Sequence, residues 1–177
     1  APQAELPSKV ICSALLAVVR LRSGDKRGAL DAARTALARI AENRLAAYAI
    51  VAAYADTAEV FLTLADVYPE AKNGARDVAR AFSSLVLTVP LAAPYRERVR
   101  ARMAMRDGDS ALARKAFERA LAGAVRFGLP YEQARLHLWL ARVAKPGSTQ
   151  VGTHRAAAER ILTTLDCATA LLEEELP

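Results

Sequence analysis

Arg98, Arg102 and Arg106 recur every four residues, so on a helix they form a single ridge, with Tyr95 opening the same face. Arg135 and Arg142 stand seven apart further along and share a face of a later helix. Arginine suits the recognition of oxyanions, because its planar fork grips a carboxylate or phosphate with two parallel hydrogen bonds. These residues define a candidate basic groove for an acidic protein segment. The opposing reading is internal: Asp56, Glu59 and Asp66 precede the ridge on an earlier helix and can pair with it. Exposed pairs of that kind contribute only about 0 to 1 kcal/mol each.

Residues for bond-making chemistry are sparse. His137 and His154 are the two histidines, and neither has a neighbouring cysteine, serine or carboxylate that would make a nucleophile with its base. His137 reads as a packing or helix-surface residue and His154 as an exposed one at a helix start. Asp56 and Glu59 are a carboxylate pair, yet their spacing demands no acid–base role. The glycines of 24–28 and 147–149 follow no strand and lack the spacing of a phosphate-cradling loop. Cys12 and Cys167 lie near opposite ends with no ligand at metal spacing, and are expected to be reduced, partly buried thiols, as in a cytoplasmic protein. No catalytic, metal-binding or cofactor-binding residue is expected.

The bulk properties agree with a recognition role. A 53% hydrophobic, 25% charged composition is globular. Alanine supplies roughly a fifth of the chain and aromatics only 6%, which favours closely packed helices over sheets. The net charge of +6 admits a second class of partner, nucleic acid bound through phosphates, although acidic residues are interleaved nearly everywhere. No apolar run approaches the roughly 20 residues of a membrane helix. The chain opens at Ala1 and reads as part of something longer, with residues 1–7 as a linker.

The elements that would hold the arginines are organised by the stretch from Arg106 to Tyr131. Asp109 or Ser110 caps a helix there, Ala113 and Ala120 permit close approach, Phe117 and Leu121 supply bulk, and Gly128 and Pro130 end it. Gly24, Asp25, Ala29, Ala36 and Leu37 repeat Gly108, Asp109, Ala113, Ala120 and Leu121 at a separation of 84 positions, twice 42. A period near 42 suits a repeat of two helices and calls for further turns at Asp66–Gly74 and Lys145–Gly152. Helical patterns fill the intervals: 8–23, 45–68, 75–89, 95–107, 131–144 and 153–174. The expected pairs are 8–42, 45–89, 95–127 and 131–174 in one domain, with antiparallel neighbours because the connections are short. In the first pair Ile11, Leu15, Val18 and Leu21 form a stripe that Leu16 and Val19 widen. Tyr48, Tyr54 and Phe61 are placed in the central core, Phe82 and Trp139 in neighbouring cores, and Glu173–Glu175 in a solvated tail.

The pattern Gly108-Asp109, Ala113, Phe117, Ala120-Leu121 resembles the second helix of tetratricopeptide repeats. Leu16-Ala17 and Leu140-Ala141 resemble the large–small pair of their first helix. The segment 127–135, followed by Leu138-Trp139-Leu140-Ala141, is similar to the longer repeats of bacterial multidomain signalling proteins, among them serine/threonine kinases, nucleotide cyclases and large ATP-dependent transcription regulators. The second pair and the turn at Gly147–Gly152 depart from the pattern. The resemblance implies a right-handed α-solenoid of about four antiparallel helix pairs, TPR-like, whose first helices line a concave face. It further implies a non-catalytic interaction or scaffold module. Tyr95, Arg98, Arg102, Arg106, Arg135 and Arg142 would then contact a protein or acidic-peptide partner, with a nucleic-acid-binding array as the alternative. For the apolar first pair the expectation is twofold: a further upstream repeat covers it, or it self-associates with another copy.

Overall fold

The computed structural model describes residues 6–42 and 48–167. Among them every regular element is helical: α1 (Leu6–Arg22), α2 (Lys26–Glu42), α3 (Val51–Leu64), α4 (Ala71–Thr88), α5 (Ala93–Arg106), α6 (Ser110–Arg126), α7 (Pro130–Val143) and α8 (Thr149–Thr164). Short 3₁₀ turns at Tyr48–Ile50 and Pro90–Ala92 lead into α3 and α5. The helices gather into two compact units, Ala1–Val99 and Arg100–Pro177, with the division falling inside α5.

In the first unit, left-handed Gly24 (φ 84°) ends α1 and lets the chain reverse. Asp25 Oδ1 then accepts from the backbone N–H of Gly28 at 2.8 Å, capping α2. Arg20 Nη1 donates to the Gly28 carbonyl at 3.2 Å and Arg39 Nη1 to the Lys9 carbonyl at 2.7 Å, so α2 runs back along α1. The buried side chains of this hairpin are mostly small: Val10, Ala14 and Ala17 on α1, and Ala29, Ala32, Ala33 and Ala36 on α2, with Leu30 and Ile40 the larger ones. The interface therefore departs from the stripe read in the sequence. Close approach through alanine leaves Leu15, Leu16 and Val19 pointing outward, at 52%, 46% and 61% exposure.

Helices α3 and α4 form the second hairpin of this unit. Tyr54 meets Phe82 edge-on at 5.3 Å, while Gly74 lies against Phe61, so the helices are antiparallel. A Cβ at Gly74 would come within 2.5 Å of the Phe61 ring. Gly74 is thus a close-packing position inside α4, which starts at Ala71 rather than Ala75. The expected helix at 45–68 is shorter, since α3 spans Val51–Leu64. Tyr54 and Phe61 join the core as expected; Leu45 and the Tyr48 side chain fall outside the described residues.

The second unit repeats the turn of the first. Gly108 is left-handed (φ 80°), and Asp109 Oδ1 accepts from the Leu112 N–H at 2.9 Å. The displacement of 84 carries α2, Lys26–Glu42, onto α6, Ser110–Arg126, each of 17 residues. Ala113, Ala116, Phe117, Ala120 and Ala124 of α6 pack with Ala101 and Ala104 of α5 and with Leu136, Trp139 and Leu140 of α7. Gly128 (φ 62°) and Pro130 separate α6 from α7 as the sequence reading required. Phe117 stacks parallel to Trp139 at 5.8 Å, and Gln133 Nε2 donates to the Ala124 carbonyl at 3.2 Å, so α7 too runs back along its predecessor.

Two further boundaries differ from expectation. Leu6 and Pro7 belong to α1 rather than to a linker, since proline is tolerated in a first helical turn where its missing N–H costs nothing. At the other end α8 starts at Thr149, inside the expected turn, with Gly152 within the helix. Residues 165–167 lie beyond α8, and the rest of the expected last helix, 168–174, with Glu173–Glu175, is outside the described residues.

Candidate functional site

The arginines expected to share a face are divided between the two units. Tyr95 and Arg98 belong to the first, and Arg102, Arg106, Arg135 and Arg142 to the second. Arg98 is 1% exposed, with Nη1 3.7 Å from Glu59 Oε2. The sequence raised internal pairing for this arginine, and its guanidinium does lie inside the first unit beside that carboxylate. Arg98 therefore presents no surface to a partner. Of the other carboxylates proposed for pairing, Asp56 is half-buried and Asp66 exposed. Tyr95 is half-buried.

In the second unit the remaining arginines gather on aromatic rings. Arg102 places its guanidinium carbon 3.8 Å from the centroid of Trp139, and Arg142 places its own at 5.3 Å from the same ring. Arg135 lies 6.0 Å from Tyr131, and Arg106, half-buried, ends α5 one turn beyond Arg102. The local sequence explains the arrangement. Trp139 is 6% exposed because α6 and α7 meet through alanines on either side of Phe117, leaving room for one large ring. Arg142 is three residues further along α7, and its side chain turns back toward the preceding turn as long helical side chains do. Two cations held against an electron-rich ring keep planar donors oriented with little freedom left to lose, the condition under which arginine binds a carboxylate best. Sequence reading treated Trp139 as core alone. Its spacing from Arg142 on one helix was the signal that it also anchors the arginines.

The histidines form a second constellation that was missed. His137 Nδ1 and His154 Nδ1 are 2.9 Å apart and the ring centroids 5.2 Å apart, so His154 is not simply exposed. The two positions are nearly symmetric about the Lys145-Pro146 turn, the geometry of facing residues in an antiparallel hairpin. One ring must donate its Nδ1–H and the other accept, which fixes complementary tautomers. Both pKa values are pushed below the ordinary 6.5, first by burial in each case. Next come His154 and Arg160 acting on His137, and Arg114 on His154, where Glu118 works in the opposite direction.

Cys12 is exposed rather than partly buried, Cys167 is half-buried, and both are free thiols. Cys12 faces outward because α1 buries its alanine side. Among the described residues no three histidines, cysteines or carboxylates are grouped as a metal site would require, and no helix is long and apolar enough to cross a membrane. No protein-family model, curated protein or solved structure matches the chain.

Proposed function

We propose that this chain is a non-catalytic protein-interaction module, a TPR-like helical array serving as a scaffold or regulatory part of a larger bacterial signalling protein in the cytoplasm. It binds an acidic segment of a partner protein on the basic face of its second unit. The observation that carries this reading is the placement of Arg102 and Arg142 around Trp139, with Arg106 and Arg135 in the same unit. The array architecture draws support from the 84-residue recurrence of the capped turn and of the helix that follows it. Arg98 drops out of the binding set because it is buried.

Trp139 is the single tryptophan of the chain, so its emission reports directly on this site. Titration with a fluorescein-labelled glutamate-rich peptide should give saturable anisotropy and a change in Trp139 emission. The same peptide with glutamine for glutamate should give neither. Arg102→Glu combined with Arg142→Glu should weaken binding at least tenfold while the chain keeps its helical circular-dichroism spectrum at the assay temperature, despite the modest loss of stability from the missing ring contacts. An absence of saturable binding, or equal binding of the glutamine peptide, removes the proposal. Tighter binding of an oligonucleotide, falling steeply with salt, would replace it with the nucleic-acid reading.

Self-association through the first helix pair belongs to the same reading and is supported by the outward-facing Leu15, Leu16 and Val19 of α1. A mass that stays monomeric at all concentrations in sedimentation would remove it.

A further inference from the structure

We propose that His137 and His154 form a proton-operated latch, which holds α8 against α7 at neutral pH and releases it in acid. The basis is the geometry of the pair. The centroid separation of 5.2 Å exceeds the 2.9 Å between the nitrogens by roughly two imidazole ring radii, so each Nδ1 points along the line joining the rings. That is the arrangement of a direct N–H···N hydrogen bond. It is unsuited to a shared metal ion, for which both lone pairs would have to converge on a point off that line.

A head-on pair counts protons. Two neutral rings make one hydrogen bond between them, and a singly protonated pair still makes one. A second proton puts N–H groups on both facing nitrogens and turns the bond into a repulsive contact between like charges. The surroundings sharpen the response. Arg160 on α8 acts on His137, and Arg114 on α6 acts on His154. Glu118, which acts on His154 in the opposite direction, is engaged by Arg114 Nε at 3.0 Å. Cations beside the half-buried rings make even the first added proton unfavourable.

The latch lies beside a small apolar core. Among the described residues only Ala158 and Leu162 of α8 are fully buried, against Ala134 and Leu138 of α7, with Ile161 and Cys167 packed beside them. With so few fully buried side chains between the two helices, a polar contact beside them weighs on the local opening of α8. The sign follows from the lowered pKa values. Above about pH 6.5 neither the closed nor the opened form carries the protons, and the contact is fully present. As pH falls below that value, opened α8 takes up protons that the closed pair refuses. Opening is then favoured by up to about tenfold per pH unit for each proton, until the closed-state pKa values are passed.

Amide hydrogen exchange on the full chain tests this. After correction for the intrinsic pH dependence of exchange, protection of α8 amides relative to those of α2 should fall at least tenfold between pH 7.5 and 5.5. His137→Gln with His154→Gln, which keeps polar partners but cannot titrate there, should abolish most of that fall. An equal loss in α2 and α8, or an undiminished loss in the double variant, overturns the latch. Should the variant fail to fold, the wild-type imidazole Cε1–H titrations decide. Two midpoints below 6.5 that track α8 exchange support the latch, and a midpoint at or above 6.5 for either ring overturns it.

Discussion

The guanidinium of Arg102 lies 3.8 Å above the centroid of Trp139 while Phe117 stacks parallel to the same ring at 5.8 Å. A charge on an indole face is worth about 0.5 to 2 kcal/mol, rising as the pair is desolvated. Arg102→Met should therefore lower stability by about 1 kcal/mol in urea unfolding and shift the emission of Trp139. Arg102→Lys should fall between, because ammonium keeps the charge but cannot lie flat on the ring. An emission spectrum unchanged in Arg102→Met would show that the guanidinium does not sit there in solution.

Arg98 behaves differently because its charge is buried 3.7 Å from Glu59. Breaking a fully buried pair costs about 3 to 5 kcal/mol, and since Glu59 is only half-buried the lower end applies here, whereas replacing both with apolar groups of similar volume is often neutral. Arg98→Met should thus destabilise by about 3 kcal/mol, and Arg98→Met with Glu59→Leu should recover most of that loss. Additive losses in the double-mutant cycle would mean that the two residues do not interact.

The all-helical class and the main turns were legible because they rest on local chemistry. Gly24, Gly108 and Gly128 are left-handed where the chain reverses, and Asp109 caps as expected. What escaped depends on which face of a helix is turned inward. On α1 the leucines and valines carry the hydrophobic signal, yet Ala14 and Ala17 are buried, since alanine contact gains by closeness what it lacks in area. The same blindness hid the His137–His154 contact, whose members are 17 residues apart, and placed Arg98 on a surface ridge. Periodicity assigned Arg98, Arg102 and Arg106 to one ridge and offered Glu59 as an internal partner, but it could not say which of the three arginines is buried beside that carboxylate.

The matched turns at Asp25 and Asp109 make a pair of experiments. Each carboxylate accepts a backbone N–H three residues on, at 2.8 Å from Gly28 and 2.9 Å from Leu112. Asp25→Ala and Asp109→Ala should each cost about 1 kcal/mol, the usual loss on removing an N-cap. Asparagine at either position should recover most of it. A loss below a few tenths at both sites, read by urea unfolding, would mean that the helices are held by packing alone.

Gly74 and Gly152 are both inside helices but predict opposite outcomes. At Gly74 an added Cβ would lie 2.5 Å from the Phe61 ring, closer than atoms tolerate, and Phe61 is buried with no free direction to retreat. Gly74→Ala should therefore destabilise by about 1 to 3 kcal/mol as α4 is pushed from α3. At Gly152 nothing lies within 4 Å of the corresponding Cβ. Gly152→Ala gains only the helix preference of alanine, about 0.5 to 1 kcal/mol, largely by restricting the unfolded chain. Paired thermal melts decide the matter: the first variant should melt lower than wild type and the second higher. Equal shifts of the same sign would refute the close approach of α4 to Phe61.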